Sequence, residues 1–374
     1  MTIIGIAAEY NPFHKGHEYH IRRAKELCGG DAAAVCVMSG NFVQRGEAAA
    51  YEKHVRAKAA VECGADLVLE LPVPYALSSA ERFASASAAI LDSLGCVDAM
   101  AFGSESGDAA LLDETAELLL TGAADAEIKG KLAEGMSYAA AVQRAAESIS
   151  GKALPLLRER NDILAVEYIK ALKRLGSDIR PLPIKRSGAF PAASELRKAE
   201  DMTPALPLKA AEIFRAEPRS DMRLLESAVL ARLRSMTAEE LAELPDAEDG
   251  MGDRIAKAAR SATGLDSLYA AAAAKRYPQA RIRRAVMCAF IGIKAGENTK
   301  RPPYARVLAM NGRGRQVLKS ADESFAVITK PSSGKAYPLM LTEARATDLY
   351  VLSLPEDRRF GGQEWTTSPY VSSP

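Results

Sequence analysis

The chain has 374 residues and a mass of 40.0 kDa, which at roughly 150 residues per domain predicts two domains. With 48% hydrophobic and 26% charged residues it reads as a folded globular chain, and apolar runs such as residues 285–293 fall far short of the ~18 residues that a membrane span needs. Lys+Arg 49 against Asp+Glu 48 leaves a net charge of +1, so overall charge announces no nucleic-acid binder and any basic surface has to be local. Four β-branched or apolar runs, at residues 3–8, 33–38, 66–71 and 97–102, start 30, 33 and 31 residues apart, the length of a βαβ unit. Helical stretches such as 17–28 and 51–63 lie between them. An Ala/Glu-rich helical insert follows around 111–149, then a helix at 162–175 and a fifth strand at 179–184. This order predicts an α/β fold, a Rossmann-like domain over residues 1–201 with a five-stranded parallel sheet. Pro204, Pro207 and Pro218 mark a change of texture after Met202. Helices expected at 223–235, 252–262, 266–274 and 279–293 make residues 202–374 a mainly α-helical second domain. A mixed segment at 304–328, a last helix at 341–352 and a loose tail at 372–374 complete it.

Five scattered cysteines, Cys28, Cys36, Cys63, Cys96 and Cys288, show no C-x-x-C spacing and predict reduced thiols rather than a disulfide framework or a zinc ribbon. The stretch 3–8 is interrupted by Glu9 and has no basic segment before it, so neither a secretory signal nor a transit peptide is visible and a cytoplasmic location is expected.

Three of the four histidines, His14, His17 and His20, fall within seven residues after the first expected strand. Asn11-Pro12 forces a turn, Gly16 permits close backbone approach, and His17 opens the next helix. Free N–H groups and the positive dipole end therefore meet at the carboxyl edge of the sheet, where a phosphate belongs in an open parallel sheet. The plain alternative is a loop histidine beside a helix-cap histidine. A zinc site on the same side chains is a further alternative, but Pro12 and Gly16 break the helix that would align them and no cysteine is near, so no metal site is assigned.

The run His14-Lys15-Gly16-His17 is similar to the H-x-G-H signature of the nucleotidyltransferase superfamily. Longer stretches carry a narrower match: 9–17 (EYNPFHKGH), 38–47 (MSGNFVQRGE), 64–72 (GADLVLELP), 102–105 (FGSE), 161–164 (NDIL), Lys185-Arg186, and in the second half Lys275-Arg276-Tyr277 with Arg281, Arg283 and Arg284. Together these resemble the bacterial tRNA(Met) cytidine acetate ligase family over nearly the whole chain. The resemblance implies a nucleotidyltransferase fold, activation of acetate by ATP as acetyl-adenylate with release of pyrophosphate, and transfer of the acetyl group to N4 of the wobble cytidine of elongator tRNA(Met), leaving AMP. It implies that Ala7, Ala8, Glu9, Tyr10, Asn11, Pro12, Phe13, His14, Lys15, Gly16, His17, Glu18, Tyr19 and His20 form the main ATP-binding stretch, joined by Gly103, Asn161 and Arg186. His14 and His17 are the expected catalytic pair, stabilising charge on the α-phosphate and departing pyrophosphate. Lys15 adds countercharge or is simply solvated, and His20 meets phosphate or is structural. Asn161, at a helix start, is also an ordinary N-cap candidate. Mg2+ is expected with ATP, although no carboxylate cage for it is apparent.

Ser39, Asn41 and Arg45 lie on a polar loop after the second strand and are candidates for the acetate and cytidine pocket, with a solvated surface loop as the alternative. Lys275, Arg276, Arg281, Arg283 and Arg284 place five positive charges and no acid in ten residues, a patch expected to hold tRNA phosphates while Tyr277 stacks on a base. Arg301, Arg306, Arg313 and Arg315 would extend it; a solvated basic helix face is the alternative. Ala192 replaces the first serine of the family's S-A-S/T-x-I-R motif, which leaves a phosphate role for Ser194 and Arg197 open. Arg160 stands where proline is usual and Ala309 where glycine is usual. The partners implied are the tRNA and acetate, with no membrane and no stable protein partner. Two other readings compete: an adenylyltransferase acting on a small metabolite, and a non-catalytic, nucleotide-gated RNA-binding protein.

Overall fold

Alternate residues of the first strands face two different cores. Ile3, Val35, Val37, Leu67 and Leu69 pack on one side, while Ile4, Ile6, Cys36, Met38 and Val68 pack on the other. Strands buried on both faces need helices on each side, the cover that crossover connections supply. The computed structural model describes residues 1–136, 138–151, 154–248, 250–274 and 277–372. Its strands are β1 (Ile3–Ala8), β2 (Ala33–Ser39), a hairpin of β3 (Phe42–Val43) and β4 (Glu47–Ala48), β5 (Leu67–Leu71), β6 (Ala99–Ser104), β7 (Arg180–Lys185), β8 (Tyr304–Met310), β9 (Ala326–Ile328) and β10 (Tyr370–Val371). The main sheet runs β10-β8-β5-β2-β1-β6-β7, with β9 also on β8.

The five expected strands are the parallel part, β5, β2, β1, β6 and β7. Three more join them, making eight. β8 pairs antiparallel with β5, and β9 and β10 pair parallel with β8. The chain therefore recrosses the expected division at 201/202, and the sheet is finished by segments from the far end of the sequence. The physical reason lies in β8 itself. Ala305 and Val307 belong to one sheet core and Leu308 and Ala309 to the other, so this strand needs cover on both faces and finds it only beside β5.

Helices α1 (Lys15–Leu27) and α2 (Lys53–Glu62) cover one side of the sheet through Ile21, Ala24, Ala57 and Ala60. On the other side lie α3 (Ala80–Ser93) and α4 (Arg160–Leu175), through Phe83, Leu91, Ala165 and Ile169. A third core gathers helices between residues 226 and 272 with α5 (Gln279–Ile291) and α6 (Pro338–Tyr350), around Val229, Ile255, Leu268, Ile282 and Phe290. Phe42 and Ala48 of the hairpin sit inside this core. At roughly 1.5–3 kcal/mol per fully buried large apolar side chain, such burial fastens the helical layer directly onto the loop after β2.

A buried polar knot ties the two halves together. Lys53 Nζ donates to Glu70 Oε1 and Glu364 Oε2, each at 2.7 Å, and the Thr347 hydroxyl donates to Glu364 at 2.6 Å. Arg306 donates to Glu364 and lies 3.9 Å from Glu70. Arg306 is only 1% exposed, so it does not extend an RNA-facing surface as the sequence suggested. With Glu343 included, three carboxylates face two cations. Burial and the Glu70 charge push the Glu343 carboxyl up to about 8, so a proton on Glu343 balances the knot at neutral pH.

Candidate active site

Between β1 and α1 the chain turns at Tyr10, whose φ of 46° is unusual for a residue other than glycine. The Tyr10 ring packs edge-on against His17, centroids 4.9 Å apart. The helix begins earlier than the sequence suggested, at Lys15, because His14 caps it. His14 Nδ1 accepts the Gly16 N–H at 3.0 Å, and His17 Nδ1 accepts the His14 N–H at 3.3 Å. With Nδ1 of each ring engaged as an acceptor, the proton of each neutral imidazole sits on Nε2. Burial, then the Arg186 charge, lowers His14 to about 4. Burial, His14, His20 and Arg186 hold His17 well below its ordinary value. Two neutral N–H donors, with ring centroids 3.8 Å apart, thus stand at a helix N-terminus, a set suited to phosphate oxygens. A Cβ at Gly16 would come within 2.7 Å of His14 Cε1, so glycine admits the cap.

Above these rings lies a cleft of about 420 Å³. It sits at the carboxyl edge where β1 has β2 on one side and β6 on the other, the switch point at which open α/β sheets bind ligands. Of the expected ATP residues, Ala7, Ala8, Glu9, Tyr10, Asn11, His14, Gly16, His17, Tyr19, His20, Gly103, Asn161 and Arg186 line it. Pro12, Phe13, Lys15 and Glu18 form no part of the lining. Phe13 is buried beneath, and Lys15 Nζ donates to the Pro204 carbonyl at 2.7 Å. Burial lowers His20 to about 4, and its Nε2 has no hydrogen-bond partner among the described residues.

At the β6–β7 end, Asp162 is buried and accepts from the Ser104 hydroxyl, from Glu105 N–H at 3.0 Å and from Ser106 N–H at 3.1 Å, which locks the loop after β6. Asn161 is not the cap of α4; Glu159 is, and Asn161 stands inside the first turn with its amide donating to Glu105. Its carbonyl oxygen is left to accept from a ligand. Arg160 occupies the first helical position, where proline is tolerated because the N–H has no partner within the helix in any case. The exposed Arg186 side chain has no hydrogen-bond or ion-pair partner among the described residues. A Cβ at Gly103 would meet only Arg186, at an ordinary 3.6 Å, so the fold alone does not require glycine there.

At the β1–β2 end the lining includes Arg45 and Gln44, but not Ser39 or Asn41. Ser39 is buried and its carbonyl accepts from Arg56 at 3.1 Å. Asn41 accepts the Lys53 N–H at 2.9 Å and donates to Thr347 at 3.3 Å. Of that expected trio only Arg45 faces the cleft. Ser194 and Arg197 line it too, but Arg197 is committed to the Asn11 carbonyl at 2.8 Å and the Glu47 carboxylate at 3.1 Å. Nothing local in the sequence marks Gln44, because its place depends on the short hairpin. The signal available was Gly46, whose φ is +73° and whose Cβ would lie 2.4 Å from the Arg283 backbone.

The basic stretch after residue 275 differs most from expectation. Lys275 and Arg276 lie outside the described residues. Tyr277 is 3% exposed within the helical core and is not placed to stack on a base. Arg281 donates to the Asp246 carbonyl at 2.8 Å and to Glu248 at 3.0 Å, Arg283 lies 3.8 Å from Glu47, and Arg284 lies 3.7 Å from Asp246. The acids absent from the ten-residue window come from other parts of the chain. Arg301 and Arg313 also face acids, Asp92 at 3.9 Å and Asp31 at 2.5 Å, whereas Arg315 is exposed.

Residues 1–364 match the family model described as HIGH Nucleotidyl Transferase. The tRNA(Met) cytidine acetate ligases of Acetivibrio thermocellus and Alkaliphilus metalliredigens are 33% and 34% identical to this chain, over 98% and 99% of its length and 99% of theirs. The chain belongs to the tRNA(Met) cytidine acetate ligase family. A crystal structure of Thermotoga maritima TmcAL bound with alpha-thio ATP aligns with a TM-score of 0.92 at 30% identity, covering 99% of both chains. For a cytidine acetate ligase family member, the cleft's wealth of N–H donors and its single carboxylate, Glu9, make an anion site. They do not fit a Mg2+ ion held by protein ligands. Among the described residues the one group able to gather three metal ligands is Glu70, Glu343 and Glu364, already engaged by Lys53 and Arg306. No helix among the described residues is long and apolar enough to cross a membrane.

Proposed function

We propose that the chain is an ATP-dependent acetate ligase that adenylates acetate and passes the acetyl group to N4 of the wobble cytidine in elongator tRNA(Met). The observation that carries this reading is the pair of neutral Nε2–H imidazoles at the helix N-terminus, facing a cleft that the unpaired Arg186 also lines, near enough for its charge to act on both rings. An acetate oxygen attacks the α-phosphorus and the bond to pyrophosphate breaks; His14 and His17 donate to oxygens whose charge grows during that step. The space at Gly103 and the carbonyl of Asn161 suit the nucleoside part of ATP, and Arg45 suits the acetate carboxylate. A Mg2+ ion accompanying ATP would be held by the phosphates rather than by a cage of protein carboxylates. The exposed Arg45, Arg160, Lys185 and Arg186 at the cleft mouth supply the positive field that an RNA substrate needs, and a cytoplasmic location accords with such a substrate.

His17→Ala is the direct test. Loss of one charge-stabilising donor costs ~10²–10³ in rate, so acetate-dependent ATP–pyrophosphate exchange should fall by that factor in a variant that melts like the parent. Exchange at the parental rate removes the phosphate role. The internal pairing of Arg281, Arg283 and Arg284 favours one second reading, an adenylyltransferase for a small metabolite, since that enzyme needs no RNA surface. It would release an adenylylated product, whereas the ligase releases AMP only when the tRNA accepts acetate.

A further inference from the structure

Acylation of an exocyclic amine sets free a proton, and some group beside the amine has to take it. The cleft lining holds three imidazoles, three phenols, five cations and one carboxylate, that of Glu9. His14 and His17 already use Nδ1 to accept backbone N–H groups and present Nε2–H, so they donate. Burial lowers His20 to about 4, which makes its ring a weak proton acceptor. Phenols and cations hold their protons at neutral pH. Among the lining side chains the Glu9 carboxylate, which burial raises, is the stronger acceptor.

Its position is fixed. The Glu9 carbonyl accepts from Arg56, whose guanidinium also reaches the Ser39 and Gly40 carbonyls and so clamps the ends of β1 and β2 together. Glu9 Oε1 accepts the Gln44 N–H at 2.9 Å, and Oε2 takes no hydrogen bond among the described residues. Two amide nitrogens of the same wall, Asn11 Nδ2 and Gln44 Nε2, are buried without partners, an anomaly that a ligand would explain. Cytosine offers the matching edge, with acceptors at O2 and N3 for amide donors and an N4 amine that donates to a carboxylate. Resting on the ligase reading above, we propose that Glu9 accepts the N4 proton of the cytidine as the amine attacks the acetyl-adenylate. The new C–N bond forms as the C–O bond to AMP breaks, AMP departs with the bonding pair, and the proton passes to Glu9 Oε2.

The groups facing Glu9 agree with this role. Burial raises its carboxyl above the ordinary value, as does Glu47, while the Gln44 N–H, Arg197 and Arg45 oppose the rise. A carboxylate moved upward is a better base near neutral pH.

Glu9→Gln keeps the shape and the acceptor for Gln44 N–H but cannot take a proton. Two measurements on the full chain separate the steps: acetate-dependent ATP–pyrophosphate exchange with a tRNA(Met) transcript carrying uridine at the wobble position, which has no N4 amine, and single-turnover acetyl transfer to the normal transcript at saturating ATP. Transfer should fall by ~10²–10³, at least roughly thirtyfold more than exchange does, and its acid limb in the pH–rate profile should flatten. Glu9→Asp should recover part of the transfer rate and the limb, which also covers the case in which the glutamine variant folds poorly. Equal losses in both measurements, or transfer at the parental rate, overturn the assignment. Absence of exchange in the parent protein instead removes the ligase reading on which it rests.

Discussion

Replacing Gly16 with alanine separates catalysis from stability more cleanly than replacing either histidine. A Cβ at that position would sit 2.7 Å from His14 Cε1, 2.9 Å from His14 Nδ1 and 3.3 Å from Phe190 Cβ. Ordinary contact begins near 3.4 Å, so the His14 ring has to retreat by about 0.7 Å, a displacement on the scale at which misplaced groups cost roughly 10² in rate. The retreat lengthens the 3.0 Å bond from Gly16 N–H to His14 Nδ1, and losing a cap destabilises by ~1 kcal/mol. Alanine in a helical turn is favoured over glycine by up to ~1 kcal/mol, and the two effects nearly cancel. The expected signature is a melting temperature within a few degrees of the parent and acetate-dependent ATP–pyrophosphate exchange lowered about a hundredfold. Parental exchange in Gly16→Ala would refute the argument, because it would show that the His14 Nε2–H can move by that distance without consequence. A large fall in melting temperature would refute the cancellation.

Glu343→Gln should leave stability almost unchanged below pH 4.5 and raise it by about 2 kcal/mol near pH 6, since the native carboxyl carries a proton up to about 8 while an unfolded one loses it near 4.5. The parent is most stable, from this group, below pH 4.5 and loses about 1.4 kcal/mol per pH unit between there and pH 8; denaturant titrations at several pH values should show the variant without that loss, and parallel curves would contradict it. Arg284→Ala leaves Asp246 without its partially buried partner and should cost roughly 2–3 kcal/mol, somewhat less than a fully buried pair. In the triple variant with Arg281→Ala and Arg283→Ala, the salt dependence of tRNA binding should stay as it was; a drop of about 0.7–0.9 in slope for each arginine would restore the patch as a phosphate-binding surface.

The rhythm of apolar runs at about 30 residues was enough to locate the parallel strands, because each unit is one strand plus one crossover helix and both signals are local. The turn and the helix N-terminus between His14 and His17 were equally legible, since both are built from consecutive residues, although the helix starts at Lys15 with His14 as its cap rather than at His17. What the sequence hid depends on partners distant in the chain. β8 completes the sheet from more than 230 residues beyond β5, and its apolar alternation alone cannot say which strand it joins. Arg306 reads as a surface cation until Glu70 and Glu364 are brought against it. Arg281, Arg283 and Arg284 read as an unopposed patch until Asp246, Glu248 and Glu47 are brought alongside. Glu9 gains its distinctive place only when Gln44, Arg56 and the cleft assemble around it. Periodicity and capping are properties of neighbours along the chain and are written there directly. The net charge of a surface and the proton affinity of a buried group are sums over neighbours in space, and only the folded arrangement determines which charges enter those sums.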